Sequence, residues 1–157
     1  MKKKQKSLRD KAGLESYGLW LLSQRDMSRH SVRQKFVLVA QDAGDIDPVL
    51  DKLEEYDYLN DQRFAEVYTR ICRESRGYGP IKTKLKLKEK GIDDKLISRF
   101  VKEKDTTWHQ LAYEARERKF GSQPLDYDDR NKQTRFLISR GFTFDHVKSA
   151  FSTEPPE

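Results

Sequence analysis

The chain has 157 residues, of which 37% are charged and only 35% apolar, so the core is thin for this length and suits a small domain or a short array of units. Its aromatic content of 11% argues against a disordered chain, because disordered segments are poor in large side chains. No apolar run approaches the roughly 20 residues that cross a bilayer. We therefore expect no membrane contact. The single cysteine, Cys72, excludes an internal disulfide, so we expect a cytoplasmic protein in which this thiol is buried and structural.

Three segments have apolar residues at the spacing i, i+3, i+4 and i+7, which places them on one face of an amphipathic helix. Each segment is therefore predicted to be the first helix of a unit. The positions are Leu14, Tyr17, Gly18, Leu21 and Leu22; then Phe64, Val67, Tyr68, Ile71 and Cys72; then Trp108, Leu111, Ala112 and Ala115.

A second helix is predicted after each of these, from an i, i+4 pair of inward-facing residues. Residues 81–88 also alternate as a strand would, but Pro80 suits the first turn of a helix, so we favour helix there. The pairs are Val32 with Phe36, Thr83 with Leu87, and Gln133 with Leu137, and each helix is expected to end near a glycine, namely Gly44, Gly91 and Gly141.

A third helix is predicted after each glycine, with an acidic residue as its N-cap: Asp47 before Pro48, then Asp93 or Asp94, then Asp145. Aligning Gly91 with Gly141 also aligns the apolar positions around them, which indicates an internal repeat of about 45–50 residues. The sequence therefore predicts an all-α, elongated array of three tandem three-helix repeats; the alternative is a single irregular helical bundle. The expected boundaries are a flexible basic tail at 1–11, repeats at 12–60, 61–104 and 105–152, and a disordered tail at 153–157.

The net charge of +6 is unevenly distributed. Residues 1–11 carry +5 and residues 61–104 carry +6, whereas residues 12–60 and 105–157 carry −4 and −1. Within the middle repeat, residues 70–90 hold eight basic and two acidic residues. Such a segment favours a contact surface for an anionic partner such as nucleic acid, although a well-solvated face is the alternative.

No residue pattern predicts catalysis or a metal centre. The three histidines, His30, His109 and His146, lack a second ligand at a recognised spacing. The glycine-rich loop at residues 76–80 precedes a helix but lacks the Gly-Lys-Ser/Thr of a phosphate-binding Walker loop. We therefore expect a binding protein that has no cofactor and is not an enzyme.

Several motifs together resemble the RecX family over roughly residues 12–152. The junction motif around Asn60 and Asp61, followed at this distance by the Gly-Tyr-Gly-Pro loop, is specific. The motifs are Ser28-x-x-Ser-Val-Arg-x-Lys-Phe, Asp57-Tyr-Leu-Asn-Asp-Gln-Arg-Phe-Ala65, Arg76-Gly-Tyr-Gly-Pro80, Lys90-Gly-Ile92, Arg118-Lys-Phe-Gly121 and Arg135-Phe-Leu-Ile-Ser-Arg-Gly-Phe142.

This resemblance implies a regulator of the RecA recombinase, built from tandem three-helix repeats in a curved array. RecX proteins bind in the helical groove of the RecA–DNA filament or limit its growth, and they inhibit strand exchange, ATP hydrolysis and co-protease action in DNA repair, recombination and the SOS response. The chain departs from the family pattern at Thr83, where an Ile or Leu is usual.

The hypothesis for partner contact is a set of basic residues with one tyrosine. We expect a monomer whose basic middle repeat faces RecA or single- or double-stranded DNA; the alternatives are a direct DNA-binding protein and a helical adaptor without a nucleic-acid role. The candidate residues are Arg70, Arg73, Arg76, Tyr78, Lys82, Lys84 and Lys86 in the middle repeat, with Arg33 and Lys35 as counterparts in the first.

Overall fold

The computed structural model describes residues 7–156, and this part of the chain contains nine α-helices and no strand. The all-α prediction is confirmed, as is the choice of helix over strand for residues 81–88. None of the described helices is both long and apolar enough to cross a membrane. The helices are α1 (Lys11–Gln24), α2 (Arg29–Val37), α3 (Ile46–Glu55), α4 (Asp61–Arg70), α5 (Pro80–Glu89), α6 (Asp94–Phe100), α7 (Thr107–Phe120), α8 (Tyr127–Ser139) and α9 (Phe144–Ala150), with a 3₁₀ turn at Ala43–Asp45 and a π-helical turn at Ile71–Ser75.

The described residues form two compact units. The first contains the chain as far as Ala65 and the short segment Lys90–Ile92, and the second contains Glu66–Glu89 and the chain from Asp93 onward. Helices α1 to α3 therefore lie in the first unit and α5 to α9 in the second. This division follows compactness and does not test the repeat boundaries given above, which stay a prediction.

The core of the first unit is formed where α1 packs on α2 and α3. Leu14, Phe36 and Leu50 are fully buried there. Gly18 of α1 permits the close packing, because a Cβ at this position would lie 2.8 Å from Leu53 Cδ1 and 2.9 Å from Phe36 Cζ. The apolar spacing of the first predicted helix is thus used as expected, with the glycine serving as a contact point.

The chain just before α1 is already bonded to the first unit. The Arg9 backbone N–H donates to the Val39 carbonyl at 2.7 Å, and the Gln41 N–H donates to the Arg9 carbonyl at 2.8 Å. Asp10 caps α1 by accepting from the Gly13 N–H at 2.8 Å. Residues 1–6 of the expected N-terminal tail lie outside the described residues, as does residue 157 of the expected C-terminal tail. The tail boundaries stay a prediction.

Equivalent positions in the three second helices are buried in the same way, which confirms the predicted i, i+4 pairs. Thr83 replaces an apolar residue without loss of the pattern, because its hydroxyl donates to the Gly79 carbonyl at 2.8 Å. The exposed fractions are 0% for Val32, Thr83, Phe36, Leu87 and Leu137, and 1% for Gln133. The register that the motif predicts for α5 is therefore correct.

The prediction that each second helix ends near a glycine is correct for Gly91 and Gly141, which have φ of 73° and 91°, and wrong for Gly44. Helix α2 ends at Val37, because the chain leaves it to pair with Arg9. Gly44 instead lies in the 3₁₀ turn, where its N–H donates to Asp42 at 2.8 Å.

Two of the three predicted N-caps are displaced. Helix α3 begins at Ile46, directly after the 3₁₀ turn, so Asp47 lies within its first turn. Helix α9 is capped by Thr143, whose hydroxyl accepts from the His146 N–H while His146 Nδ1 accepts from the Thr143 N–H. This reciprocal pair starts the helix before Asp145. Asp93 caps α6 as predicted.

The end of the second unit is organised around a buried arginine. Helix α7 packs on α8 and α9, and Arg116 at its centre is fully buried. Its Nε donates to the Ala150 carbonyl at 2.6 Å and its Nη1 to the Ser122 carbonyl at 2.8 Å, and Nη2 pairs with Glu117. These contacts join the end of α9 to α7 and to the loop that follows α7.

Candidate partner-binding surface

The glycine-rich loop between α4 and α5 is built by backbone contacts. After the π-helical turn, the Arg76 N–H donates to the Ile71 carbonyl at 3.1 Å and the Tyr78 N–H to the Cys72 carbonyl at 2.9 Å. Gly77 takes a positive φ of 65°, a conformation that favours glycine. The loop is therefore a defined turn that presents Arg76 and Tyr78.

The same loop is fixed to the end of α8. The Gly79 N–H donates to the Arg140 carbonyl at 2.8 Å, and the Ile81 N–H donates to the Gly141 carbonyl at 2.9 Å. A Cβ on Gly79 would lie 2.5 Å from backbone atoms of Gly141 and Phe142. The first N–H groups of α5 thus satisfy the last carbonyls of α8, at a distance that only glycine allows.

Tyr78 lies between two cations. Lys82 Nζ is 4.4 Å from the centre of its ring, and the Arg140 guanidinium carbon is 5.9 Å from it. The structure therefore brings together Tyr78 and Lys82, two of the candidate partner-binding residues. Sequence reasoning missed Arg140, although the Arg140-Gly141 pair aligns with Lys90-Gly91 in the repeat and was a usable signal.

Arg76 is exposed on the other side of the loop and contacts Tyr68. Its guanidinium carbon is 5.5 Å from the centre of the Tyr68 ring, and Nη1 donates to the phenol oxygen at 3.4 Å. Burial raises the pKa of Tyr68, so the phenol is neutral and does not cancel the charge on Arg76.

Arg73 is held by contacts within the second unit rather than presented to solvent. Its guanidinium carbon lies 4.3 Å from the Trp108 ring, Nη2 donates to Thr107, and Nη1 is 3.7 Å from Asp105. The pKa of Asp105 is lowered, first by hydrogen bonding from the Thr107 N–H and in part by Arg73. Arg70 is exposed beside the acids Glu66 and Glu74, in a separate cleft.

The lysines of α5 that follow Lys82 carry exposed ion pairs. Lys84 Nζ is 3.0 Å from Glu103, Lys86 Nζ is 3.5 Å from Glu89, and Lys88 Nζ is 3.9 Å from Asp94. Exposed pairs of this kind contribute about 0.2–1 kcal/mol each. A partner with stronger negative charge can therefore displace these carboxylates at little cost.

An apolar cleft of about 420 Å³ lies between these lysines and α6. Ile81 and Leu85 are 50% and 56% exposed at its edge, and Ile97 lines it. Apolar centres with charged rims are the usual composition of protein interfaces. Sequence reasoning missed this feature, although the alternation of Ile81 and Leu85 with lysines was the signal for it.

The two first-unit candidates differ from each other. Arg33 pairs with Asp47, so the charge of Arg33 is neutralised locally. The same carboxylate lies 3.5 Å from Arg29 Nη2. Lys35 is exposed.

The described residues contain no group of three or more His, Cys, Asp or Glu residues placed to hold a metal ion. Cys72 is buried, and burial raises the pKa of its thiol, so a reactive thiolate is disfavoured.

Comparisons with known proteins agree with this architecture. A family model described as RecX, second three-helix domain, matches residues 60–99, and another described as RecX, third three-helix domain, matches residues 109–151.

Two curated relatives are close over most of their length. A protein named "Regulatory protein RecX" from Halorhodospira halophila is 37% identical over 84% of this chain and 82% of its own. One of the same name from Chromohalobacter salexigens is 36% identical over 84% of this chain and 86% of its own.

The crystal structure of RecX from Lactobacillus salivarius has a TM-score of 0.73 at 24% identity, covering 89% of this chain and 93% of that one, which supports the tandem three-helix fold. The helices, the repeated buried pairs, the family models and the relatives agree, and the chain belongs to the RecX family of regulatory proteins.

Proposed function

We propose that this protein binds the RecA–DNA filament, in its helical groove or at its end, and inhibits the recombinase, ATPase and co-protease activities of RecA. Membership of the RecX family carries this proposal, through 37% identity over most of the chain to a protein named as a regulatory protein. In this role the protein is a monomeric, non-catalytic regulator of DNA repair and recombination that acts in the cytoplasm.

The surface we assign to the partner is the loop and outer face of α5. It combines cations that remain charged beside Tyr78 with an apolar edge at Ile81 and Leu85. An elongated filament offers this surface many equivalent sites, so weak contacts at neighbouring sites add through effective concentration. Charge complementarity sets the orientation and association rate more than the affinity.

The first test is RecA-catalysed, DNA-dependent ATP hydrolysis with and without this protein. We expect inhibition. Inhibition at ratios far below one molecule per RecA subunit indicates capping of filament ends, and inhibition only near equal ratios indicates occupation of the groove. Unchanged ATP hydrolysis at all ratios would contradict the proposal.

The second test reverses charge on α5. The variant Lys82→Glu/Lys84→Glu/Lys86→Glu should abolish RecA inhibition with unchanged helicity by circular dichroism, because none of the three side chains is buried and glutamate is a good helix former. The matched control is Lys95→Glu/Lys102→Glu/Lys104→Glu, which makes the same charge change at exposed positions of the same unit and should still inhibit. Full inhibition by the folded α5 variant would remove these lysines from the contact surface.

A further inference from the structure

A small basic cleft lies in the second unit, next to the surface described above. It has a volume of about 170 Å³, below the roughly 300–1,000 Å³ of pockets that enclose small molecules, so it suits a small charged group on a larger ligand. Three motifs that are far apart in the sequence meet there. The lining residues are Arg76, Gly77, Ala115, Arg118, Lys119, Phe136 and Arg140.

The lining contains four cations and no acid. Among the described residues, Arg76, Arg118, Lys119 and Arg140 have no carboxylate within 4.0 Å. Other cations of the same unit do have such partners, namely Arg73, Lys84, Lys86 and Lys88. Four neighbouring positive charges repel one another, and an anion placed among them would relieve this repulsion.

An aromatic ring holds two of these cations, Lys119 and Arg140, in place without neutralising them. Lys119 Nζ is 5.7 Å and the Arg140 guanidinium carbon 5.2 Å from the centre of the Phe136 ring. The Phe120 ring meets Phe136 edge-on with centres 5.4 Å apart. A ring attracts a cation through its quadrupole and carries no net charge, so the N–H donors remain available to a ligand.

The helix C-terminus itself does not account for all of this charge. Basic residues in a last turn commonly interact with the free carbonyls there, but the Phe136, Leu137 and Ile138 carbonyls of α8 already accept from the N–H groups of the three residues 140–142. The need for cations at this end of α8 is correspondingly reduced.

We propose that this cleft binds a phosphodiester group of a nucleic-acid backbone. Guanidinium groups match phosphate oxygens with paired N–H donors, and cations interleaved with aromatic rings are typical of surfaces that track a nucleic-acid strand. The proposal deepens the proposed function, since it assigns a direct contact to the DNA of the filament. It adds residues of α7 and α8 to a surface that, in the second unit, sequence reasoning confined to α4, α5 and the loop between them.

The test measures binding of the full-length chain to a labelled oligothymidylate, and separately to a duplex of the same length, at several salt concentrations and without RecA. The variant Arg118→Gln/Lys119→Gln should weaken binding about tenfold. The slope of log affinity against log salt should become shallower by about 1 for each phosphate that the variant no longer neutralises. Preference for the oligothymidylate or the duplex identifies the source of the phosphodiester.

Two further variants make the result specific. The control Lys102→Gln/Lys104→Gln removes the same charge from exposed positions of the same unit outside the cleft and should keep the wild-type affinity and slope. The charge-preserving variant Arg118→Lys/Lys119→Arg should also bind, which shows that the positive charge is what these positions supply. The glutamine variant should keep the wild-type helicity by circular dichroism, because both side chains are exposed.

Equal weakening by the control, full binding by the cleft variant, or no binding of either nucleic acid by the wild type would overturn the proposal. So would tighter binding of an oligoglutamate peptide that depends on Arg118 and Lys119, which would assign the cleft to an acidic protein segment. Because RecA is absent, failure here is distinguishable from failure of the proposed function, which the ATP hydrolysis assay measures with the same variants.

Discussion

The two compact units hold their positive charge in different ways. In the first, basic side chains mainly meet carboxylates: Arg29 Nη1 lies 2.9 Å from both Asp51 and Glu54, and Lys52 Nζ lies 2.9 Å from Glu15. In the second, many cations lie over aromatic rings. These cation and ring pairs are Arg73 with Trp108, Arg76 with Tyr68, Lys82 with Tyr78, Lys119 and Arg140 with Phe136, and Arg130 with Phe151.

The difference separates stability from binding. A carboxylate cancels the charge that it orders, whereas a neutral ring orders a cation and leaves its field intact. Two units built from similar helices can therefore have very different surfaces. The first neutralises several of its cations with carboxylates, and the second retains more charge that a partner can use.

The largest expected effect compares one arginine from each unit. Arg116→Ala should cost roughly 3–5 kcal/mol of unfolding free energy, because it breaks a buried ionic and hydrogen-bonded group that serves the Ala150 and Ser122 carbonyls. Arg29→Ala should cost only about 1 kcal/mol, since its carboxylate partners are exposed. Urea denaturation followed by circular dichroism measures both, and added salt should reduce only the Arg29 effect. Equal losses of stability would contradict the distinction.

A smaller effect is expected at the loop that carries Tyr78. Gly79→Ala should cost about 2–3 kcal/mol, because its Cβ would lie 2.5 Å from backbone atoms of Gly141. Gly77→Ala is the matched control: its φ of 65° is strained, but a Cβ there meets nothing within 4 Å, so about 1 kcal/mol is expected. Thermal denaturation compares the two. If Gly77→Ala lowers the stability as much as Gly79→Ala, the loop requires glycine because of its backbone conformation and not because of its close approach to the end of α8.

The smallest effect concerns pH. The pKa of His146 lies below its ordinary value of 6.5, first because of burial and second because of His109. The folded state therefore favours the neutral ring, the unfolded state binds more protons, and the stability of the second unit should fall as pH drops below 6.5. In the first unit, hydrogen bonding from Asn60 and the charge of Arg63 hold the pKa of Asp57 below 3.8, so its contribution is lost only at lower pH.

Each unit has its own tryptophan to report this difference, Trp20 in the first and Trp108 in the second. Denaturation between pH 7 and pH 5, followed by the fluorescence of each tryptophan in a variant that lacks the other, should show a pH-dependent midpoint for Trp108 only. His146→Gln should remove the dependence. A midpoint for Trp108 that is independent of pH would contradict the assignment to His146.

Local features of the fold were predictable because they depend on spacing along the chain. Residues four positions apart lie on the same face of a helix, so burial of one member of a pair predicts burial of the other. The structure buries both members of the pairs Val32 with Phe36 and Thr83 with Leu87. Helix starts were less predictable, because several acceptors compete at each one. Asp145 is a good N-cap by composition, but Thr143 and His146 satisfy each other first.

The binding surface was only partly predictable, for a different reason. Arg73 and Arg76 look alike in the sequence, yet Arg73 packs against Trp108 of α7 and Arg76 remains exposed. Their difference depends on residues distant in the chain, as does the position of Arg140 beside Tyr78. Contacts between residues this far apart leave no pattern in the neighbouring sequence. A sequence motif indicates such a contact only when the segments that carry it are already known to be adjacent in the fold.

The backbone pairing between the start of α5 and the end of α8 has a consequence for synthesis of the chain. The donors on Gly79 and Ile81 emerge from the ribosome long before the acceptors on Arg140 and Gly141 exist, and domains generally fold in order of emergence. The basic helix therefore cannot complete these contacts until α8 has been translated. A chain truncated before α8 would lack both hydrogen bonds, so the proposed contact surface on α5 would be fixed in place only after α8 is synthesised.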